Sequence, residues 1–154
     1  LGVGPHRILV RVLGRASARS RDTRVVVDGF EAGGVRVGES AGDASWASAA
    51  FPQASAGDVV ASELAGASLL LTFRGTGVEW ITLRNRDQGR AAIYVDGVLV
   101  REVDNFATAP LFGVARSVTG LVEGVHTLEI VVLGESRTRA TGTLVTIDRL
   151  AVIA

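Results

Sequence analysis

The sequence has no cysteine, which excludes zinc–thiolate sites, thiol redox motifs and thiol catalysis. It has no lysine either: all 16 basic residues are arginine, and 16 acidic residues bring the formal net charge to zero. A balanced charge removes the electrostatic pull toward nucleic acid or anionic membrane, so a nucleic-acid partner is not expected. Arginine without lysine, alongside abundant alanine, valine and glycine, reads as GC-rich coding rather than as a function. Methionine is absent and proline is scarce, at 3 residues. No charged-then-apolar leader and no apolar run of about 18 residues occurs, so membrane insertion is not expected. The chain reads as a soluble mature protein, a cut-out fragment or one repeat unit.

What is present favours strands. The 154 residues are 47% hydrophobic with 19 glycines, enough to bury a core without covalent staples. Short apolar runs alternate with period 2, as in HRILVRVLG, where Ile8, Val10 and Val12 share one face and Arg7 and Arg11 the other. TRVVVDGF, GGVRVGES, ASLLLTFRG (67–75), GVEWITL (77–83), VARSVTGL, HTLEIVVLG and TLVTIDRLAVI follow the same pattern. AAIYVDGVLVREVD (91–104) is a hairpin whose Asp96-Gly97 pair suits a tight primed turn. Roughly ten strands and no amphipathic helix predict an all-β fold, a two-sheet antiparallel β-sandwich of jelly-roll type.

The two ends of the chain repeat each other. Shifted by 120 positions, residues 4–32 lie on 124–152 without a gap, with nine identities in 29 positions. Gly4, His6, Gly14, Val25 and Asp28 meet Gly124, His126, Gly134, Val145 and Asp148, and the inward positions Ile8 and Val10 meet Leu128 and Ile130. A slip of one residue would turn every side chain to the wrong face, so the preserved register marks a true repeat. Residues 1–32 are therefore expected to be the C-terminal hairpin equivalent of a preceding module, or an exchanged or packing hairpin, and residues 33–154 one complete β-sandwich module.

Within 33–154 the strings FRGTGVEW, DQGRAAIYVDGVLVREVD, GLVEGVHTLEIVVLG and TGTLVTID resemble a galactose-binding-like β-sandwich family of carbohydrate-binding modules, found as appended or tandem domains in bacterial secreted and surface proteins. These are framework motifs: Gly75 and Gly77 are read as flanking a turn of positive φ, and Asp96-Gly97 and Gly124 as hairpin positions. The resemblance implies a non-catalytic carbohydrate-binding module, secreted or at the cell surface, with a glycan or polysaccharide as partner.

Residue chemistry points the same way. No G-x-S-x-G, HExxH or phosphate-loop motif is present, and Glu79, Asp87, Glu102 and Asp104 are read as scattered strand carboxylates rather than an acid–base pair for glycoside hydrolysis. His6 and His126, being repeat equivalents, suit turn geometry better than catalysis. A sugar site needs an aromatic platform beside paired polar groups. Trp80 and Tyr94 are assigned to the core, whereas Trp46, in GDASWASAAF, suits either a plug or an exposed platform. The loop LRNRDQGR (83–90) is the most polar stretch, and Arg84, Asn85, Arg86 and Asp87 are suited to gripping hydroxyls or a uronic-acid carboxylate. Asp104, Asn105 and Phe106 offer a second loop beside it. Asp28, Glu31 and Asp148 are candidate ligands of a structural calcium, although no D-x-D-x-D-G loop is present. The alternative function is a structural or adhesive tandem-repeat or fibre-forming surface domain, in which residues 1–32 pack on a neighbouring module or build a homo-oligomer.

Overall fold

The computed structural model describes residues 46–154 in full and the backbone of three short strands before them, 25–27, 30–32 and 35–37. These strands are β1 (Val25–Val27), β2 (Phe30–Ala32) and β3 (Val35–Val37). Then follow β4 (Ala47–Ala50), β5 (Asp58–Ser62), β6 (Ser68–Arg84), β7 (Arg90–Val95), β8 (Val98–Asp104), β9 (Leu111–Val132), β10 (Val145–Ile147) and β11 (Arg149–Ile153). Among the described residues there is no helix, so none is long and apolar enough to cross a membrane. The fold is all-β, as the alternation predicted.

One sheet has six strands in the order β1-β11-β6-β9-β7-β8, a second has three in the order β10-β5-β4, and β2 pairs with β3. Every strand pair is antiparallel. The inward residues of both sheets form one core: Leu69, Phe73, Trp80, Ile93, Leu128, Ile130, Val145 and Ile147 are all buried. Trp80 is 1% exposed and gives its indole N–H to the Thr146 carbonyl at 3.0 Å, which satisfies the one polar atom a buried tryptophan carries. Tyr94 is half-buried.

Two features depart from expectation. ASLLLTFRG and GVEWITL form the single strand β6, and VARSVTGL and HTLEIVVLG the single strand β9. Their register jumps from Gly75↔Gly124 to Gly77↔Thr119, so residues 120–123 bulge out of β9 opposite Thr76. Gly75 and Gly77 do not flank a turn of positive φ; neither is among the residues with that backbone conformation. They are small because neighbouring strands approach them. A Cβ at Gly75 would overlap the Ile153 carbonyl oxygen, and one at Gly77 would stand 2.6 Å from the Val118 carbonyl oxygen. Asp96 and Gly97 do have positive φ, 52° and 76°, the two left-handed residues a type I′ hairpin requires.

The bulge is tied down by His126. Its Nδ1 lies 2.7 Å from Asp96 Oδ2 and its Nε2 2.7 Å from the Val122 carbonyl oxygen. A carboxylate and a carbonyl oxygen accept, so both contacts are satisfied together only when both ring nitrogens donate, in the imidazolium form. The Asp96 hydrogen bond, followed by that of Val122, raises the His126 pKa above its ordinary value, and the same His126 bond lowers that of Asp96. This histidine clamps the β7–β8 turn to the bulge, as a turn-forming role implies; its repeat equivalent His6 lies outside the described residues.

Candidate functional site

Both candidate loops lie at one end of the sandwich. Asn85 forms a bridge with Phe106, its N–H donates to the Asn105 carbonyl at 3.2 Å, and the Ala107 N–H donates to the Asn85 carbonyl at 3.0 Å. The 83–90 loop is also laced to the segment before β10: the Leu144 N–H donates to the Asp87 carbonyl at 3.0 Å, and the Gly89 N–H to the Leu144 carbonyl at 2.8 Å. The sequence therefore identified two loops that are neighbours in space.

Most of their polar side chains hold the framework. Arg84 Nη2 donates to the Phe106 carbonyl at 2.8 Å, and Arg86 Nε to the Thr108 carbonyl at 3.0 Å. Asp87 Oδ1 accepts from Gln88 Nε2. Gln88 is fully buried, and its Oε1 accepts from the Thr146 hydroxyl at 3.2 Å. Asn105 is also fully buried, and its Oδ1 accepts from Arg116 Nη2 at 2.9 Å. Arg86 keeps its side chain at the surface. Trp46 is not an exposed platform. It is 7% exposed, packs in the core and donates its indole N–H to the Ser68 carbonyl at 3.1 Å, which is the plug alternative. Phe106 is likewise 7% exposed, with the Arg137 guanidinium 5.1 Å above its ring centre.

Beside these loops an open cleft of about 480 Å³ is lined by Arg90, Glu102, Val103, Asp104, Ser136 and Arg137. Arg90 sits between two carboxylates, with Nη2 2.6 Å from Glu102 Oε2 and Nη1 2.9 Å from Glu135 Oε2. Arg137 approaches Asp104 Oδ2 through Nε at 2.8 Å and Nη2 at 2.7 Å. Asp104 Oδ1 accepts from the Phe106 N–H at 2.8 Å. Burial pushes the Asp104 carboxyl up, but the Phe106 N–H and the Arg137 and Arg90 guanidiniums outweigh it and hold the group below its ordinary range. Asp104 is thus a fixed carboxylate rather than a proton donor.

Of the sequence-predicted ligand residues, Asp104 lines this cleft and Phe106 supports its wall through Arg137. Arg90, Glu102, Ser136 and Arg137, which also line the cleft, are not among the binding candidates read from the sequence, where Glu102 is an ordinary strand charge and ESRTR an ordinary polar loop. Asp148 is 7% exposed and its Oδ1 accepts both the backbone N–H and the hydroxyl of Ser55, the work of a turn cap. Its proposed partners in calcium binding, Asp28 and the Glu31 side chain, lie outside the described residues. No group of three or more His, Cys, Asp or Glu placed to hold a metal occurs among the described residues.

No protein-family model matches the chain. Over 83% of its length it superposes, with a TM-score of 0.54 and 16% identity, on the CBM36-1 domain of a multidomain xylanase from the hindgut metagenome of Trinervitermes trinervoides, and covers 94% of that domain. The chain shares its fold with that domain. A Paenibacillus xanthan lyase contains the same architecture, matched over 84% of this chain and 13% of the lyase at a TM-score of 0.58 and 13% identity. Two curated relatives from Flavonifractor plautii match in sequence. One is an A type blood N-acetyl-alpha-D-galactosamine deacetylase, 39% identical over 66 residues, which are 43% of this chain. The other is an A type blood alpha-D-galactosamine galactosaminidase, 35% identical over 75 residues, 49% of the chain. The matches span only 8% and 7% of the lengths of these relatives.

Proposed function

We propose that this module is a non-catalytic carbohydrate-binding domain of a secreted or cell-surface bacterial protein, and that it takes glycan in the Arg90–Asp104–Arg137 cleft. The observation that carries the reading is the cleft itself. It sets charged hydrogen-bonding side chains around an open depression on a fold shared with the CBM36-1 domain of a xylanase. Its groups are held by one another, which lowers the ordering cost of binding. The Flavonifractor plautii relatives, both named for galactosamine-bearing substrates, support a carbohydrate setting. The ionised, arginine-bound state of Asp104 favours binding over catalysis. The test is retention on insoluble polysaccharides, comparing wild type with the Glu102→Ala, Arg137→Ala double variant. Retention by wild type and its loss in a variant that still unfolds cooperatively is the expected result; equal retention by both refutes the cleft.

A second reading has an observation of its own. β1, within the first copy of the repeat, adds to the outer edge of β11 with Val25↔Val152, Val26↔Ala151 and Val27↔Leu150. An edge that accepts a strand from residues 1–32 suits a structural or adhesive domain in which such hairpins join modules or copies. Sedimentation of the full chain and of residues 33–154 decides this: a full chain that stays monomeric at high concentration excludes assembly through exchanged hairpins.

A further inference from the structure

We propose that the cleft selects neutral sugars carrying adjacent hydroxyls and discriminates against uronates, an inference that rests on the cleft being the glycan site. Its lining carries two guanidiniums, Arg90 and Arg137, and two carboxylates, Glu102 and Asp104, so the lining charges cancel. Both guanidiniums already face protein carboxylates: Arg90 is held between Glu102 and Glu135, and Arg137 against Asp104. A uronate carboxylate only accepts hydrogen bonds. It suits the arginines alone, and to reach them it must approach the carboxylates that hold them, with like charges adjacent.

A hydroxyl both donates and accepts. Arg90 commits one N–H from each terminal nitrogen to a carboxylate, which leaves three of the five donors of a guanidinium, while Glu102 engages Arg90 through Oε2. Two neighbouring hydroxyls can therefore span the pair, one accepting from Arg90 and the other donating to Glu102, without breaking the ion pair that orients both. Val103, apolar and also lining the cleft, offers a contact for ring C–H groups. The volume of about 480 Å³ falls within the range of roughly 300–1,000 Å³ typical of small-ligand sites. The loop arginines read from the sequence as suited to hydroxyls or a uronic-acid carboxylate, Arg84 and Arg86, donate instead to the Phe106 and Thr108 carbonyls, and the arginines that line the cleft, Arg90 and Arg137, are paired with carboxylates.

The test is affinity electrophoresis of the full chain in gels containing neutral polymers (galactan, xylan and glucomannan separately), polygalacturonate or chitosan, at low and high salt. Retardation by at least one neutral polymer is expected, little changed by salt because no net charge is exchanged, abolished by Arg137→Ala, and at least about tenfold stronger than on polygalacturonate. Glu102→Gln, which removes a charge and keeps the shape, is expected to narrow that gap. Stronger retardation by polygalacturonate or chitosan that Arg137→Ala abolishes overturns the selectivity and leaves the cleft as the glycan site. Retardation by none of the polymers, or retardation that Arg137→Ala leaves intact, overturns the cleft reading and the inference together.

Discussion

Gly77→Ala is the sharpest test of how β6 is packed. Gly77 lies at the register jump between β6 and β9 and in pairing with Ile153 of β11, so backbone closes on it from both sides. An added Cβ would stand 2.6 Å from the Val118 carbonyl oxygen, 3.2 Å from Thr119 Cα and 3.4 Å from Ile153 Cδ1. Ile153 can rotate, but the Val118 carbonyl belongs to β9 and must retreat by about 0.8 Å to reach ordinary contact. Both strands are fixed by their ladders on either side, so the displacement weakens neighbouring hydrogen bonds. Overpacking of this kind costs about 2–3 kcal/mol, and for a chain of this size that lowers Tm by roughly 5–10 °C. Gly57→Ala is the matched control: at φ +85° with nothing within 4 Å of the added carbon, it bears backbone strain alone, about 1 kcal/mol. Urea and thermal unfolding followed by circular dichroism read both. A Gly77→Ala variant no less stable than Gly57→Ala refutes the claim that close approach, and not turn conformation, dictates glycine here.

The His126 clamp predicts a pH window. The folded pKa of His126 is above its ordinary 6.5, so its contribution is complete below that pH and is lost as the pH rises through the raised value. Asp96 is lowered from 3.8, so its part is present above that pH and is lost as the pH falls through the lowered value. The stability difference between wild type and His126→Gln should therefore be largest between about 4 and 6.5, and at most about 1 kcal/mol for so exposed a pair. A His126 ring that titrates at or below 6.5 by NMR disproves the clamp. Thr146→Val removes a hydroxyl that is 1% exposed, leaving Gln88 Oε1 without its donor; a loss of about 1–3 kcal/mol is expected from urea midpoints, and a neutral effect contradicts it. Trp46→Ala should cost about 3–5 kcal/mol of stability through the cavity it leaves, with glycan retention of the remaining folded protein unchanged; loss of retention at unchanged stability would return Trp46 to the binding surface.

Much of the fold was legible because it depends on local pattern. Period-2 alternation identified the segments that form β6 to β9, and Asp96-Gly97 announced a turn whose backbone few other pairs adopt without strain, whereas TLVTIDRLAVI, read as one strand, divides at Asp148 into β10 and β11 in different sheets. The boundary between ASLLLTFRG and GVEWITL was misread because glycine has two uses, positive φ and absence of a side chain, and only the neighbouring chains tell which applies. The candidate site was legible as a region and not as a set of residues. LRNRDQGR and DNFATAPLF do meet, but Gln88 and Asn105 turn inward, Arg84 braces the Phe106 carbonyl, and Trp46 is core.

By itself, then, the sequence determined an all-β sandwich, since a pleated strand with one buried face leaves a periodic trace in its own residues. It also determined that thiol chemistry is absent and that residues 4–32 and 124–152 share nine identities in 29 positions. Tertiary structure alone decided which charges line the cleft. Arg90, Glu102 and Arg137 lie on three separate segments, and nothing in their local spacing records that they share a cleft or that each arginine already has a carboxylate. Pairing between distant residues is set by the sheet register that joins β7 to β8 and β9, and register emerges only when the whole core is packed.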